Sequence, residues 1–236
     1  MRGMPRWAAW LHRANLHLSG ELLGGPRVLK LAWVINAQKL GSLPFVWLLM
    51  WLYDDWSLVA WVYLGLYGSY GVAWFLKDMA FPDRNWQRRV TWGGGAAAFL
   101  LGLAPYWVLP WLLVSGRGHP PTSASLVACA IGVHTVGLFL MVAADAQKTF
   151  VLRERAGLIT DGMFRLVRHP NYLGEMMIYG SYALLVGHWA AWAILLGIWT
   201  VEFVPNMLAK EASLSRYPEW AAYRSRTGAL LPRLTR

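Results

Sequence analysis

Residues 173–208 read LGEMMIYGSYALLVGHWAAWAILLGIWTVEFVPNML, 36 residues interrupted in their middle only by Gly187-His188-Trp189. About 20 residues at 1.5 Å each carry an α-helix across a hydrocarbon core of roughly 30 Å, so this stretch predicts two helices folded as a hairpin. Working outward, residues 57–76 and 124–144 are each long enough to span. Residues 91–115 qualify despite Pro105 and Pro110, because neighbouring helices satisfy the carbonyls that a kink frees. Residues 31–53 make a weaker span, broken by Asn36, Gln38, Lys39 and Pro44. The chain is 57% apolar and holds 16 Trp, with a mean hydropathy of +0.36. That composition is far from an average soluble domain. The expected fold is all-α: a polytopic membrane helix bundle of about six transmembrane helices, forming one integral-membrane domain over 1–236.

The charges test this arrangement. With the amino terminus inside, residues 1–30, 77–90, 145–172 and 208–236 share one face and hold 5, 4, 5 and 6 Lys or Arg. The opposite loops hold Arg117, and the loop at 54–55 is Asp54-Asp55. An excess of Lys and Arg marks the cytoplasmic side, so both termini are expected in the cytoplasm. The +10 net charge then reflects topology, and nucleic acid is not an expected partner. Residues 1–30 form a cytoplasmic or interfacial segment, with 4–23 read as an amphipathic helix at the membrane surface. Arg2 to Gly25 lacks a continuous apolar core, so a cleavable signal peptide is not expected. Cys129 stands alone inside a span, which leaves no disulfide framework and no zinc spacing.

Immediately ahead of the hairpin stands Arg168-His169-Pro170-Asn171-Tyr172-Leu173-Gly174-Glu175. Membrane entry alone does not call for so many donors, acceptors and charges in eight residues. Pro170 suits a first helical turn and Gly174 allows close backbone approach. On a helix beginning near Pro170, residues Tyr172, Glu175, Tyr179 and Tyr182 recur every three or four positions and share one face. A carboxyl one turn inside a membrane helix is costly without a partner, which makes Glu175 a functional candidate. Upstream lie Asp145, Gln147, Lys148, Arg153, Glu154 and Arg155, then the turn Thr160-Asp161-Gly162. Downstream, Glu202 and Asn206 share a helical face, and Lys210-Glu211 leads into Tyr217, Trp220, Tyr223 and Arg224.

Ala144 to Lys148, Asp161 to Arg165, Arg168 to Glu175, and the tail of Glu211, Tyr217, Trp220, Tyr223 and Pro232 together resemble a known superfamily. It unites steroid 5α-reductases, sterol reductases and integral-membrane methyltransferases such as isoprenylcysteine carboxyl methyltransferase. The resemblance covers roughly residues 135–233 and does not extend to the amino-terminal spans, where such proteins build part of the substrate pocket. It implies a cytoplasmic cofactor pocket holding either NADPH or S-adenosylmethionine. The Gln147-Lys148 pair, and Asn171 to Glu175 beside the Asn-Tyr-Leu-Gly-Asp of sterol reductases, resemble the reductase branch more closely. Arg-His-Pro followed by a variable residue, Tyr and Gly is shared with the methyltransferases. A pyrophosphate and a 2′-phosphate suit the five basic residues between 148 and 168, although topology alone also puts them there.

As a reductase, the resemblance implies that Lys148, Arg153 and Arg168 contact phosphates while Asn171, Tyr172 and Glu175 hold ribose and nicotinamide. Arg165, His169, Glu211 and Tyr223 complete the cofactor-binding set. The acid that protonates the substrate is expected to be Tyr179, with Glu175 and Glu202 behind it. The acid pair of steroid 5α-reductases includes an amino-terminal Glu that has no counterpart placed here. As a methyltransferase, Arg168 pairs with the methionine carboxylate, His169 and Tyr172 line the adenosyl pocket, and Glu211 holds a ribose or amine. The expected substrate is a lipophilic molecule reaching the site from membrane lipid, in a bacterial inner membrane or the endoplasmic reticulum. A non-enzymatic lipid-binding scaffold is a third reading. Clustering of polar groups at one face, with only Lys39, Asn36 and Gln38 inside a span, argues against a transporter. His134 is expected to be a helix-contact residue, His188-Trp189 a hairpin tip, and Gly93-Gly94-Gly95 a site of close packing.

Overall fold

The computed structural model describes residues 3–233, so Arg2 and Arg236, counted above on the cationic face, lie outside the described residues. Its helices are α1 (Arg6–Glu21), α2 (Leu31–Tyr53), α3 (Leu58–Ala80), α4 (Trp92–Val114), α5 (Ala124–Glu154), α6 (Pro170–Val186), α7 (Trp189–Leu214) and α8 (Trp220–Arg226). The two-residue strands β1 (Leu29–Lys30) and β2 (Arg89–Val90) pair antiparallel. Among the described residues, four helices are long and apolar enough to cross a membrane: α3, α4, α5 and α7. The other two expected spans are helical but differ in kind. Helix α2 has 23 residues with Gln38 and Lys39 buried inside it, and α6 has 17.

Two helices outrun their apolar stretches. The spans expected at 57–76 and 124–144 continue to Ala80 and Glu154, because Lys77, Asp145, Ala146, Gln147 and Lys148 are compatible with helix once Lys77 and Asp145 pair across α3 and α5. The prolines bend two others without breaking them. A proline cannot donate and crowds the carbonyl four residues earlier, and α4 widens into a π-helical turn over Ala98–Leu103 ahead of Pro105. Helix α7 does the same over Trp199–Phe203 ahead of Pro205. There the freed carbonyl of Val201 accepts a hydrogen bond from Asn15 Nδ2 on α1 at 2.7 Å.

Glycine decides two contacts. Helices α5 and α6 approach backbone to backbone where Gly137 faces Gly174; a Cβ on either would sit 2.7 or 2.5 Å from the other's carbonyl oxygen. At the hairpin tip Gly187 adopts φ +60° and ends α6, and any Cβ there would strike the His119 carbonyl. His188 then caps α7, its Nδ1 accepting from the Ala190 N–H at 3.1 Å.

The loops gather at two ends. One end joins β1 to β2, the segment 155–169 and the tail 215–233, with Val167 bridging Gly228. The other joins 54–57, 115–123 and 187–188, with the His119 N–H donating to the Val186 carbonyl at 3.0 Å. Tyr63, Tyr67 and Tyr70 from α3, Tyr106 from α4, and Tyr179 and Tyr182 from α6 fill the centre and are all buried. The outward faces carry Trp51, Trp61, Leu100, Phe139 and Leu196, all well exposed, a surface that suits lipid and not water.

Candidate functional site

The stripe expected on α6 enters the centre of the bundle. Tyr179 has no solvent exposure, and its ring stacks on Tyr106 at 3.9 Å between centroids. Lys39 from α2, 3% exposed, donates to the Tyr179 hydroxyl and to the Tyr70 hydroxyl, the latter at 3.1 Å. Its ammonium also lies over the rings of Tyr70 and Trp74, at 4.4 and 5.1 Å, where the π-face favours a cation. Tyr182 points away from this group, meeting His134 Nε2 at 3.2 Å and donating to the Leu66 carbonyl at 3.3 Å. Glu175, one turn nearer the strand end, is partly exposed and faces Lys39, Lys77, Asp145 and Lys210. Among the described residues Glu175 makes no ion pair within 4.0 Å, and Lys39 is the most deeply buried of the lysines in this cluster.

From Glu175 a chain of charges leads out to the strand end. Lys77 pairs with Asp145 at 2.5 Å, and Asn171 Nδ2 donates to the same carboxylate at 3.2 Å. Lys148 pairs with Asp83 at 2.8 Å. Burial opposes charge on Asp83, but the Lys148 ammonium and the Asn85 N–H outweigh it and hold the carboxyl below its usual range. Lys210 sits over the ring of Tyr172 at 4.6 Å. Among the described residues its ammonium has no carboxylate within 4.0 Å and no hydrogen-bond acceptor. A cation so placed, beside Tyr172 and Asn171, can hold a phosphate or carboxylate of a ligand.

A second cluster lies beside the first. Arg168 Nε donates to Glu211 at 2.7 Å, and its Nη1 donates to the Thr227 carbonyl at 2.5 Å. His169 Nε2 meets the same Glu211 oxygen at 3.3 Å, and burial holds its pKa below the ordinary imidazole value despite that carboxylate. The Arg168 and His169 N–H groups donate to the carbonyls of Gly228 and Ala229, at 2.9 and 3.0 Å. Tyr223 donates to the Phe164 carbonyl at 2.7 Å, and burial pushes its phenol up to about 12. These bonds clasp the chain after α8 to the entry of α6.

The expected residues thus divide. Tyr172, Glu175, Asn171 and Lys148 belong to one polar cluster that runs from the strand end toward Tyr179. Arg168, His169, Glu211 and Tyr223 are engaged with one another and with backbone. Arg153 is exposed and lies over Phe150 at 5.3 Å; Arg165 is exposed and has no ion pair among the described residues. Glu202 faces another opening, between α1, α4 and α7. Three lysines of this region, Lys39, Lys77 and Lys210, are not among the expected site residues. A charge inside a hydrophobic span was the available signal for Lys39; Lys77 and Lys210 read equally well as topology charges.

Residues 99–227, more than half of the chain, match the model of a family described as "Protein of unknown function (DUF1295)". The chain belongs to the DUF1295 family. It is also similar to two uncharacterized proteins of Schizosaccharomyces pombe. One is 29% identical over 106 residues, covering 42% of this chain and 38% of that protein. The other is 31% identical over 87 residues, covering 33% and 24%. The matches span well under half of these relatives' lengths. The DUF1295 region runs from within α4 to just past α8, so it takes in the α6 stripe and the Arg168 clasp and stops short of Lys39, Lys77 and Asp83.

Proposed function

We propose that this DUF1295 member is a six-span membrane enzyme of the steroid reductase and sterol reductase type, with both termini cytoplasmic, that reduces a carbon–carbon double bond of a lipophilic substrate with NADPH. The observation that carries the reading is the bond from Lys39 to Tyr179. An ammonium in the centre of an apolar bundle is costly, and beside a phenol it forms a proton-donating pair. Alkene reduction needs such an acid; methyl transfer to a carboxylate or thiolate does not.

The channel fits an anionic cofactor: Lys210 has no protein anion paired with it, and Lys148 stands at the same mouth. When bound, NADPH supplies the hydride. The chain supplies the rest. Tyr172 and Asn171 orient the ring and ribose and Lys210 binds phosphate, while Lys148 has to leave Asp83 to join it. Tyr179 is enclosed, so Glu175, which is partly exposed, meets the substrate first. In this reading Glu175 is protonated when it meets the substrate, and it gives its proton to the alkene carbon next to the one that takes hydride. Tyr179 passes its own proton to Glu175, the Lys39 ammonium refills Tyr179, and Lys39 regains a proton from solvent between turnovers. The neutral alkene gains one hydride and one proton, and the saturated product leaves toward lipid. Arg168 is thereby reassigned from phosphate binding to holding the pocket's wall.

One observation favours a second reading. Asp83, Asp145 and Glu175 line the channel with the Tyr172 ring, a lining that also suits the sulfonium of S-adenosylmethionine. Thermal unfolding of the detergent-purified protein with NADPH, NADH, S-adenosylmethionine or S-adenosylhomocysteine separates them by linkage. The expected result is stabilisation by NADPH that Lys210→Met removes. Stabilisation by the adenosyl ligands alone would make the protein a methyltransferase, and none by any ligand would favour a lipid-binding scaffold.

A further inference from the structure

Helix α1 is pinned across the bundle, and the pinning fixes which way each of its sides faces. His12 Nδ1 meets Asn206 Oδ1 on α7 at 2.9 Å, and Asn15 donates to the Val201 carbonyl of the same helix. Toward its other end, Thr91 at the start of α4 donates its N–H to the Gly20 carbonyl and its hydroxyl to the Leu22 carbonyl, both at 3.0 Å. A Cβ at Gly93 or Gly94 would strike the backbone of Leu22 or Gly20. Helix α1 therefore lies across the first turn of α4 and the later half of α7, both long and apolar enough to cross a membrane, and it cannot roll without breaking these contacts.

The side left facing outward mixes rings with cations. Arg6, Trp10, Arg13 and His17 follow one another at helical spacings of four, three and four and form one exposed stripe, with Trp7 and Leu16 on its flanks. Trp7, Trp10 and Leu16 are 51, 63 and 42% exposed, although the opposite side of the helix is fully used in packing. Indole rings settle at the level of lipid headgroups. Among the described residues neither Arg6 nor Arg13 makes an ion pair or a hydrogen bond, and Glu21, the acidic residue of α1, is held by Arg27. Exposed rings beside cations that lack a protein anion are what a surface helix uses to bind an anionic bilayer face.

We propose that the outward stripe of α1 binds acidic phospholipids of the leaflet at the strand end. Arg6 and Arg13 pair with headgroup phosphates, while Trp7, Trp10 and Leu16 enter the boundary between headgroups and acyl chains. Seven residues separate the two arginines, about 10 Å along the helix axis, too far for one small anion to bridge, so the partner is a lipid surface. The inference uses the membrane setting of the bundle and involves neither cofactor nor turnover.

The test places the full chain in nanodiscs of phosphatidylcholine alone or mixed with phosphatidylglycerol, and follows hydrogen exchange of the peptides covering α1 by mass spectrometry. Phosphatidylglycerol is expected to slow exchange across Arg6–Glu21 about tenfold, and high salt to remove most of that difference. Arg6→Gln combined with Arg13→Gln should abolish it while leaving the unfolding midpoint in detergent in place, since neither arginine is bonded to the bundle. Arg216→Gln combined with Arg226→Gln removes the same charge from exposed positions beyond α7 and should leave the difference intact. Trp10→Ser should speed exchange in both discs; unchanged exchange there would overturn insertion of the rings. Equal exchange in the two lipids, or protection that inorganic phosphate reproduces in phosphatidylcholine, would overturn the acidic lipid as partner. A difference that survives loss of Arg6 and Arg13, or that loss of Arg216 and Arg226 removes equally, would overturn α1 as the site.

Discussion

The Arg168 clasp and the Lys39 centre treat charge in opposite ways. At the clasp, every charged group has a protein partner: Arg168 holds Glu211 and the Thr227 carbonyl, and His169 closes on Glu211. At the centre, Lys39 is held by two phenols, and among the described residues no carboxylate lies within 4.0 Å of it. The motif Arg168 to Glu175 is shared between them: its first two residues build the clasp, while Asn171, Tyr172 and Glu175 turn toward the cluster that Lys39 and Lys77 join from outside it. One short motif can thus serve both the stitching around a candidate site and the site itself.

The largest expected effect breaks the clasp. Arg168→Ala leaves Glu211, itself mostly buried, without its main partner, and stranding a buried charge costs about 3–5 kcal/mol. Against a total stability of roughly 5–15 kcal/mol, much of the protein should fail to fold, and Arg168→Lys should rescue little because one ammonium cannot span Glu211 and the Thr227 carbonyl. Chemical unfolding in detergent measures this. Wild-type stability together with lost NADPH binding would return Arg168 to the cofactor and erase the contrast.

At the centre the prediction is inverse. Lys39→Met removes a buried charge whose stem the Met replaces, so unfolding should change less than at the clasp, while turnover falls about 10²-fold, the lower end of what proton transfer contributes. Single-turnover oxidation of NADPH on an accepted lipid reads the chemical step. Equal loss of folding and turnover would show that Lys39 is only a strut.

The sequence made the bundle legible wherever hydrophobicity was long and continuous. The hairpin break at Gly187 and the ends of α2 fall where Gly-His-Trp and Asp54-Asp55 put them. It missed the extensions to Ala80 and Glu154, because their last turns are polar and only the Lys77–Asp145 pairing makes them helix. Within α6 the periodicity aligned Tyr172, Glu175 and Tyr179 correctly, since a helix fixes that face locally. What faces them was not legible. Lys39 lies 140 residues from Tyr179, and no periodicity in one helix reveals the neighbour that packing selects. The partner of Arg168 was illegible for a related reason: its charge was visible, but Glu211, which pairs with it, lies 43 residues on.

Lys210 sharpens the comparison at smaller scale. Because among the described residues no carboxylate lies within 4.0 Å of it and it rests on the Tyr172 ring, Lys210→Met should cost far less stability than Arg168→Ala yet weaken NADPH by roughly 10–100-fold, the value of a charge-assisted bond of about 1.5–3 kcal/mol. Titration of cofactor fluorescence checks it. A stability loss matching that of Arg168→Ala would make Lys210 part of the stitching.

The smallest effect tests the clasp through pH. Burial lowers the His169 pKa in the folded chain more than Glu211 raises it. Between the folded value and the unfolded one, near 6.5, the unfolded chain binds the extra proton, so stability rises with pH there. It is complete above the unfolded value and declines as pH falls below it, with a slope of at most about 1.4 kcal/mol per pH unit from this one group. His169→Gln keeps a donor toward Glu211 and cannot titrate, so it should flatten unfolding midpoints measured between pH 7 and 5. If the variant declines as steeply as the parent, burial does not hold the imidazole neutral in the folded chain, and another group takes up the proton between those pH values.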